Sequence, residues 1–231
     1  MFRQRLRVRF DKRGLLRFIS HRDLMRLFER ALRRAGLPLA MTQGYNPHPR
    51  ISFPLALGTG MVGEHEVMEF QLREWLPPAS VRERLTRELP PDIVIRDLDP
   101  VSPRGGAVVT ALRYRVRFLG TPPVSEDELA ELLVHDRILV RRQRKGGEKT
   151  VDIRPFISRL RLQGDILTME CVVNQGSTTR PEEVLEALGV DVAGWLGRME
   201  IVRTDTVLAE PQGARGDGSR PVGRRLTSRK R

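Results

Sequence analysis

The strictest constraint in this chain is an alternation that occurs twice. Residues 3–9, Arg-Gln-Arg-Leu-Arg-Val-Arg, put Leu6, Val8 and then Phe10 on one side of an extended segment and arginines on the other. That is the period of a half-buried strand. Residues 111–118, Ala-Leu-Arg-Tyr-Arg-Val-Arg-Phe, repeat it. Each such strand has one face that water tolerates and one that must be covered, so each stretch calls for a sheet with helices on one side.

The residues that follow each alternation supply the covering helices. Asp11-Lys12-Arg13-Gly14 reads as a turn, after which Ser20 is an N-cap and Asp23 completes a capping-box-like pattern. The helix runs to about Ala35 and ends at Gly36, with Leu24, Phe28, Ala31, Leu32 and Ala35 on its buried stripe. A short strand is expected at Leu37–Met41, others at Arg50–Phe53 and Glu66–Leu72, then a helix after Pro77-Pro78 and a strand from Ile93 that fades at Pro100. Strand, helix, strand, strand, helix, strand is the ferredoxin-like (βαββαβ) order. Residues 101–109 read as a linker. Residues 110–209 restart the order in degenerate form. A helix follows Ser125, a hairpin turns at Gly146-Gly147, and then come a strand at 166–173, a helix at 181–188 and a strand at 199–208. The expected fold class is α+β: two tandem ferredoxin-like units, residues 1–100 and 110–209, followed by a disordered basic tail, 210–231.

Charge is unevenly placed along this frame. The net charge of +12 comprises +10 in residues 1–50 and +6 in residues 211–231, which leaves the middle at −4. A basic surface at one end of a fold is the electrostatic footprint of a polyanion partner. Arg26, Arg30, Arg33 and Arg34 fall on the outer side of the first helix, and the alternating arginines of the first strand, together with Arg50, are expected to join them in one positive surface. Between helix and Arg50 lies Gln43-Gly44-Tyr45-Asn46-Pro47-His48-Pro49, too polar for a core and too rich in proline for a strand. Pro47 and Pro49 fix φ and press Asn46 and His48 toward extended backbone, so the segment reads as a stiff, exposed loop that displays Tyr45 and His48. Arginines beside a displayed aromatic suit single-stranded or looped RNA. A second basic group on the hairpin, including Arg141, Arg142, Arg144 and Lys145, extends the track or else protects an exposed sheet edge.

Other chemistry is thinly represented. The four histidines make no metal spacing, and there is no HExxH, CxxC or phosphate-loop motif. His21 and His48 are the weak candidates for acid–base catalysis on a phosphodiester, which would make the chain a metal-independent RNA-cleaving or RNA-modifying enzyme. Glu64, Glu66 and Glu69 are better read as solvated strand positions than as a magnesium site, and no metal is expected. The single cysteine, Cys171, sits in an apolar run and reads as buried. No run of about 18 apolar residues exists, and the N-terminus has no signal-peptide core, so no membrane contact and a cytoplasmic location are expected.

Three segments carry a resemblance: Arg17-Phe18-Ile19-Ser20-His21-Arg22-Asp23-Leu24-Met25-Arg26, then residues 30–38, then residues 43–53, which include Gln43-Gly44-Tyr45-Asn46-Pro47-His48-Pro49-Arg50. With them, roughly residues 1–200 resemble the radical-SAM-linked family, also called DUF2344. Tyr45 stands where phenylalanine is more frequent, and the tail lies outside the resemblance. Members occur fused behind, or encoded beside, a radical SAM protein with a cobalamin-binding-like region. The resemblance therefore implies the free-standing form of an accessory subunit whose partner is a radical SAM protein. The partner, not this chain, would use an iron–sulfur cluster and S-adenosylmethionine, since the chain has no CxxxCxxC. The combined expectation is a non-catalytic accessory protein that binds tRNA or rRNA for modification. Its contacts would be Ser20, His21, Arg22, Arg26, Arg30, Arg33, Arg34, Gln43, Gly44, Tyr45, Asn46, His48 and Arg50. A protein-interaction module that grips the radical SAM partner without RNA is the remaining alternative.

Overall fold

In the computed structural model, which describes residues 3–144 and 147–209, the first alternation becomes strand β1, Gln4–Lys12. Leu6, Val8 and Phe10 are buried in a first core, and Arg5, Arg7 and Arg9 point the other way. Helix α1, His21–Arg34, starts where the sequence places it: the Ser20 hydroxyl accepts the Asp23 N–H at 3.2 Å, removing one of the orphan donors of the first turn. Its stripe of Leu24, Phe28, Ala31 and Leu32 covers β1, with the Phe28 ring edge-on to Phe10 at 4.8 Å. Gly36, at φ +60°, turns the chain out of the helix as the position after a C-cap requires.

The rest of the first half is β2 (Ile51–Ser52), β3 (Val62–Leu72), α2 (Pro78–Glu88) and β4 (Ile93–Val101). The second half begins with β5 (Val109–Phe118) and α3 (Glu126–Val134), whose capping box pairs the Ser125 and Glu128 side chains with each other's backbone N–H. It continues through β6 (Leu139–Arg144), β7 (Gly147–Asp152), β8 (Ile157–Gln163), β9 (Ile166–Val172), α4 (Pro181–Ala187) and β10 (Met199–Leu208).

The protein is thus a mixed α+β structure with a large, mostly antiparallel sheet in the order β4-β1-β3-β10-β5-β9-β8. β2 pairs with one end of β3, at Phe70 and Glu69, while β10 runs parallel to the other end, at Val62 and Gly63. One strand edge is therefore shared between two neighbours. On β3, Glu66 lies opposite Phe10, and on β10, Arg203 lies opposite Tyr114. The Arg203 guanidinium grips the Glu66 carboxylate, so both apolar sheet faces are on the same side, and all four described α-helices cover that side. Two hydrophobic clusters lie beneath the helices, one within the first half and one in the second half that also takes in Leu57 and Met61 of the first.

Several expectations are corrected. The hairpin β6–β7 forms a separate two-stranded sheet, and the strand that completes the second half is β8, which the sequence reading did not assign. The linker is shorter than residues 101–109, because β4 extends through Val101 and β5 starts at Val109. Asp11 and Lys12 are not turn residues but the buried end of β1. Glu66 and Glu69, read as solvated, are 4% and 2% exposed. The alternation rule identifies which face a residue occupies, and it cannot reveal that an arginine from a distant strand neutralises a carboxylate there. Residues 145–146, part of the expected hairpin turn, and the expected tail at 210–231 lie outside the described residues.

Candidate nucleic-acid interface

The loop at 43–50 is a splinted projection. Its base is a short antiparallel ladder: the Thr42 N–H donates to the His48 carbonyl at 2.8 Å and the Arg50 N–H to the Ala40 carbonyl at 2.8 Å. The Thr42 hydroxyl accepts the His48 N–H at 3.0 Å. That ladder is fastened to β3, since the Ala40 N–H donates to the Gln71 carbonyl at 2.8 Å and the Gln71 N–H to the Arg50 carbonyl at 3.1 Å. Beyond it, Gln43, Gly44, Tyr45, Asn46, Pro47 and His48 are all exposed, and Tyr45 is as accessible as in an extended peptide, at 105%. Gly44 takes φ +132°, a backbone position closed to most side chains. Backbone bonds and prolines hold this tip: residues 43–48 are exposed, and Pro49 at its base is buried. Arg50 is partly committed, its Nε donating to the Met41 carbonyl at 3.2 Å.

On α1, Arg22, Arg26, Arg30, Arg33 and Arg34 are all exposed. Arg26 is 3.5 Å from Asp23, Arg33 2.8 Å from Glu29 and Arg34 2.9 Å from Glu88. Among the described residues Arg22 and Arg30 have no such partner. Ser20 is occupied locally: besides capping the helix, its hydroxyl donates to the Asp23 carboxylate at 2.7 Å, and this bond holds that carboxyl below its ordinary range. No hydrogen bond or ion pair joins residues 43–48 to the helix arginines among the described residues. The link between the two is His21, whose ring stands edge-on to Phe53, just past β2, at 5.5 Å.

His21 and His48 differ in setting. His48 is exposed at the foot of the loop, whereas His21 is half-buried above a cluster of buried charge. Burial first, and then the positive charges of Lys12 and Arg203, lower its proton affinity, so its imidazole is neutral at pH 7. Within the cluster, Arg203 is 2% exposed and donates to both Glu66 oxygens and to the carbonyls of Ala56 at 3.1 Å and Leu55 at 3.3 Å. Lys12, 1% exposed, donates to the Arg17 carbonyl at 3.4 Å, and burial drives its ammonium below its ordinary range despite the nearby Glu66 charge. Sequence reading missed this cluster. A lysine in the turn-like run Asp11-Lys12-Arg13-Gly14 and a glutamate in an alternating strand both look solvated, and the one available signal was that Glu66 falls on the apolar side with Met68 and Phe70.

The arginines of β1 do not join the helix arginines. They lie on the helix-free face, where Arg5 and Arg7 pair with Glu69, Arg9 is 3.6 Å from Asp205, and Arg113 reaches Glu170 at 3.0 Å and Asp205 at 3.4 Å. Arg115 meets Glu64 at 3.3 Å and Arg117 meets Asp165 at 3.1 Å. This face is a lattice of cross-strand ion pairs, opposite to the helical layer, so the expected single positive surface divides in two. On the hairpin, Arg142 is not a free cation: it makes a bidentate pair with Glu183 at 2.6 and 2.7 Å and donates to the Thr178 carbonyl at 2.8 Å. Arg141 remains exposed, 3.8 Å from Glu148. The side chain of Arg144 and all of Lys145 lie outside the described residues.

Among the described residues no group of three His, Cys, Asp or Glu side chains converges as a metal site. Cys171 is fully buried, and burial pushes its thiol up to about 12, so it offers no thiolate to a metal or cluster. Among the described residues no helix is long and apolar enough to cross a membrane.

Over residues 5–181 the sequence matches the model of a family described as an uncharacterized protein conserved in bacteria, DUF2344. No curated protein matches the chain. Among solved structures, a chain of a Cbf5-Nop10-Gar1 complex aligns at TM-score 0.42 and 13% identity, covering 87% of this chain and 48% of its own. A chain of the archaeal box H/ACA sRNP Nop10-Cbf5 complex aligns at TM-score 0.40 and 13% identity, covering 87% and 47%. An unknown protein from Galdieria sulphuraria aligns at TM-score 0.26 and 14% identity, covering 90% and 99%. The chain thus spans about half the length of the first two.

Proposed function

The chain belongs to DUF2344, and from that premise we propose that it is an accessory protein that binds RNA, tRNA or rRNA, through the loop at 43–50 and the outer face of α1. The observation that carries this reading is the loop: a fully exposed tyrosine on a tip held by prolines and backbone bonds, which loses little conformational freedom when a base stacks on it. Arg22 and Arg30, without carboxylate partners among the described residues, supply phosphate contacts nearby on the same half. Ser20 and His21 position the helix and the loop's exit, and Arg26, Arg33, Arg34 and Arg50 contribute charge from partly committed side chains. Arg141 is the remaining exposed cation of the secondary hairpin track.

The wider reading has further parts. The strand orders β4-β1-β3-β2 and β10-β5-β9-β8 support two ferredoxin-like units, residues 1–100 and 110–209, each over one of the two hydrophobic clusters. The motifs at 17–26 and 43–53 motivate a radical SAM protein as partner, working in the cytoplasm, with the iron–sulfur cluster and S-adenosylmethionine on the partner's side.

Binding of the full chain to bulk cellular RNA, measured between about 50 and 200 mM salt, tests the RNA part: affinity is expected to fall steeply with salt, and salt-independent or absent binding would remove it. Copurification of a radical SAM protein that survives nuclease and high salt tests the partner part. RNA cleavage that persists in EDTA and disappears in a His21→Ala variant would replace binding by catalysis through His21 and His48.

A further inference from the structure

At the foot of the loop, on the helix-free face, the sheet forms an open groove of about 340 Å³. Alternation decides what lines it. Ile51 pairs with Phe70 and turns toward the core, so Arg50 and Ser52 on either side of it turn the other way, Ser52 opposite Glu69. One row along, Gln71 stands between two arginines: its N–H donates to the Arg50 carbonyl at 3.1 Å, and Arg5 is its partner on β1. At about 4.8 Å between neighbouring chains, the two arginines of this row start roughly 10 Å apart, close enough for both side chains to converge on one ligand. The one carboxylate in the lining, Glu69, is closed to a ligand. It is 2% exposed, its Oε1 accepts from the Arg7 Nε at 2.9 Å, and its Oε2 accepts from Arg5 and from the Ala107 N–H at 3.2 Å. Two guanidinium groups on one carboxylate leave a positive charge over, and Arg50, without a carboxylate partner among the described residues, adds a second. The Thr42 hydroxyl accepts the His48 N–H and keeps its own hydrogen free to donate, and the Ser52 side chain is exposed. The groove thus presents donors and a surplus of positive charge, which is what an oxygen-rich anion requires.

We propose that this groove holds a phosphate group of an RNA strand, the phosphodiester next to the base that stacks on Tyr45. Arg50 and Arg5 meet its unesterified oxygens, and the Thr42 and Ser52 hydroxyls with the Gln71 carboxamide supply neutral hydrogen bonds. Tyrosine and groove are joined by the ladder at Thr42 and His48, so the tip stands no more than roughly 8 Å beyond the groove's edge, a span that one nucleotide with its flanking phosphates covers. The inference rests on the RNA reading above and deepens it. The arginines of α1 flank the loop on the helical side, the groove flanks it on the other, and the strand passes over the sheet edge between them. Such a contact carries no sequence information; it fixes which stretch of the strand lies beside the tyrosine.

Fluorescence anisotropy of the full chain with an end-labelled ten-nucleotide uridine strand, between about 50 and 200 mM salt, tests it. Arg50→Gln keeps a donor for the Met41 carbonyl and removes the charge. It should weaken binding about tenfold at the low-salt end and reduce the slope of log K against log salt by about 0.7. Ser52→Lys should do the reverse, tightening binding and steepening the slope, whereas Ser52→Asn should change neither. These positions are exposed, so each melting temperature should stay within about 2 °C of the unaltered chain. Because base and phosphate belong to one nucleotide, the loss from Arg50→Gln should shrink in a Tyr45→Ala background, where independent sites would simply add. Unchanged affinity in Arg50→Gln and Ser52→Lys, or full additivity with Tyr45→Ala, overturns the assignment. Calorimetry with inorganic phosphate at constant ionic strength is the second arm: binding of the free ion that Arg50→Gln abolishes, with strand affinity untouched, would give the groove to free phosphate and overturn the RNA source. If the groove variants have no effect while Tyr45→Ala still weakens the strand, or if the strand does not bind while bulk cellular RNA does, the groove reading falls and the RNA reading stands. If neither the strand nor bulk RNA binds, both fall.

Discussion

The buried pair Arg203–Glu66 shows how much a single residue in this chain depends on one far away in sequence. Taking either charge out of water costs several kcal/mol, which the other charge offsets together with the Leu55 and Ala56 carbonyls. Glu66→Leu or Arg203→Met alone should therefore lower unfolding free energy by about 3–5 kcal/mol in urea titration, while the double replacement Glu66→Leu with Arg203→Met should cost clearly less than the sum. His21 gives a pH signature. Its folded-state proton affinity is lowered, so the unfolded chain binds the proton more readily once pH falls below the ordinary imidazole value near 6.5. Stability should thus fall between pH 7 and pH 5, and a His21→Gln variant should show a shallower decline over that window. Neither effect was legible in the sequence. The helix cap at Ser20 was, because it depends on residues three positions apart, whereas Glu66 finds its partner 137 positions away.

At the scale of elements, the loop and α1 separate cleanly into display and support. The tip at 43–47 has no packing to lose, so Tyr45→Ala with His48→Ala should leave the melting transition nearly where it is while weakening RNA binding by about 1–3 kcal/mol in a filter or fluorescence assay. Arg30→Ala should act differently, weakening binding to all sequences alike and reducing the slope of log K against log salt by about 1. A large loss of stability in the loop variant would mean that Tyr45 packs against something in solution. Sequence reading located this element because prolines and a glycine act through local backbone geometry. It misjudged the arginine strands, since alternation fixes that Arg5 and Arg7 leave the core but not that Glu69 waits for them on the neighbouring strand. It also overlooked β8, where Ile157 and Leu160 are buried but Ser158 and Arg159 between them resemble loop residues.

In the whole molecule, two cores hang on one seam. The parallel contact of β10 with β3 involves Val62 and Gly63, and a Cβ on Gly63 would sit 2.6 Å from the Glu66 Cγ and 2.8 Å from Leu57. Gly63→Ala should therefore cost about 1–3 kcal/mol by overpacking. Because the strain falls where the halves meet, its urea transition should broaden or split when followed by probes in each half, such as Trp75 and Trp195, while the unaltered chain unfolds in one step.

The position of β10 also carries a consequence for how the chain is made. Every other described strand leaves the ribosome before it, yet it occupies the middle of the sheet, with three strands on either side along the main path. The first half is synthesised complete in helices and strands but must wait, at about 5–20 residues per second, for more than a hundred residues before Arg203 arrives to meet Glu66. Until then the outer edge of β3 at Val62 and Gly63 stays open. Assembly of the described fold is gated by translation of its last described strand, and a pause or truncation ahead of Met199 would leave a nascent chain with an unsealed edge and a stranded carboxylate at its centre.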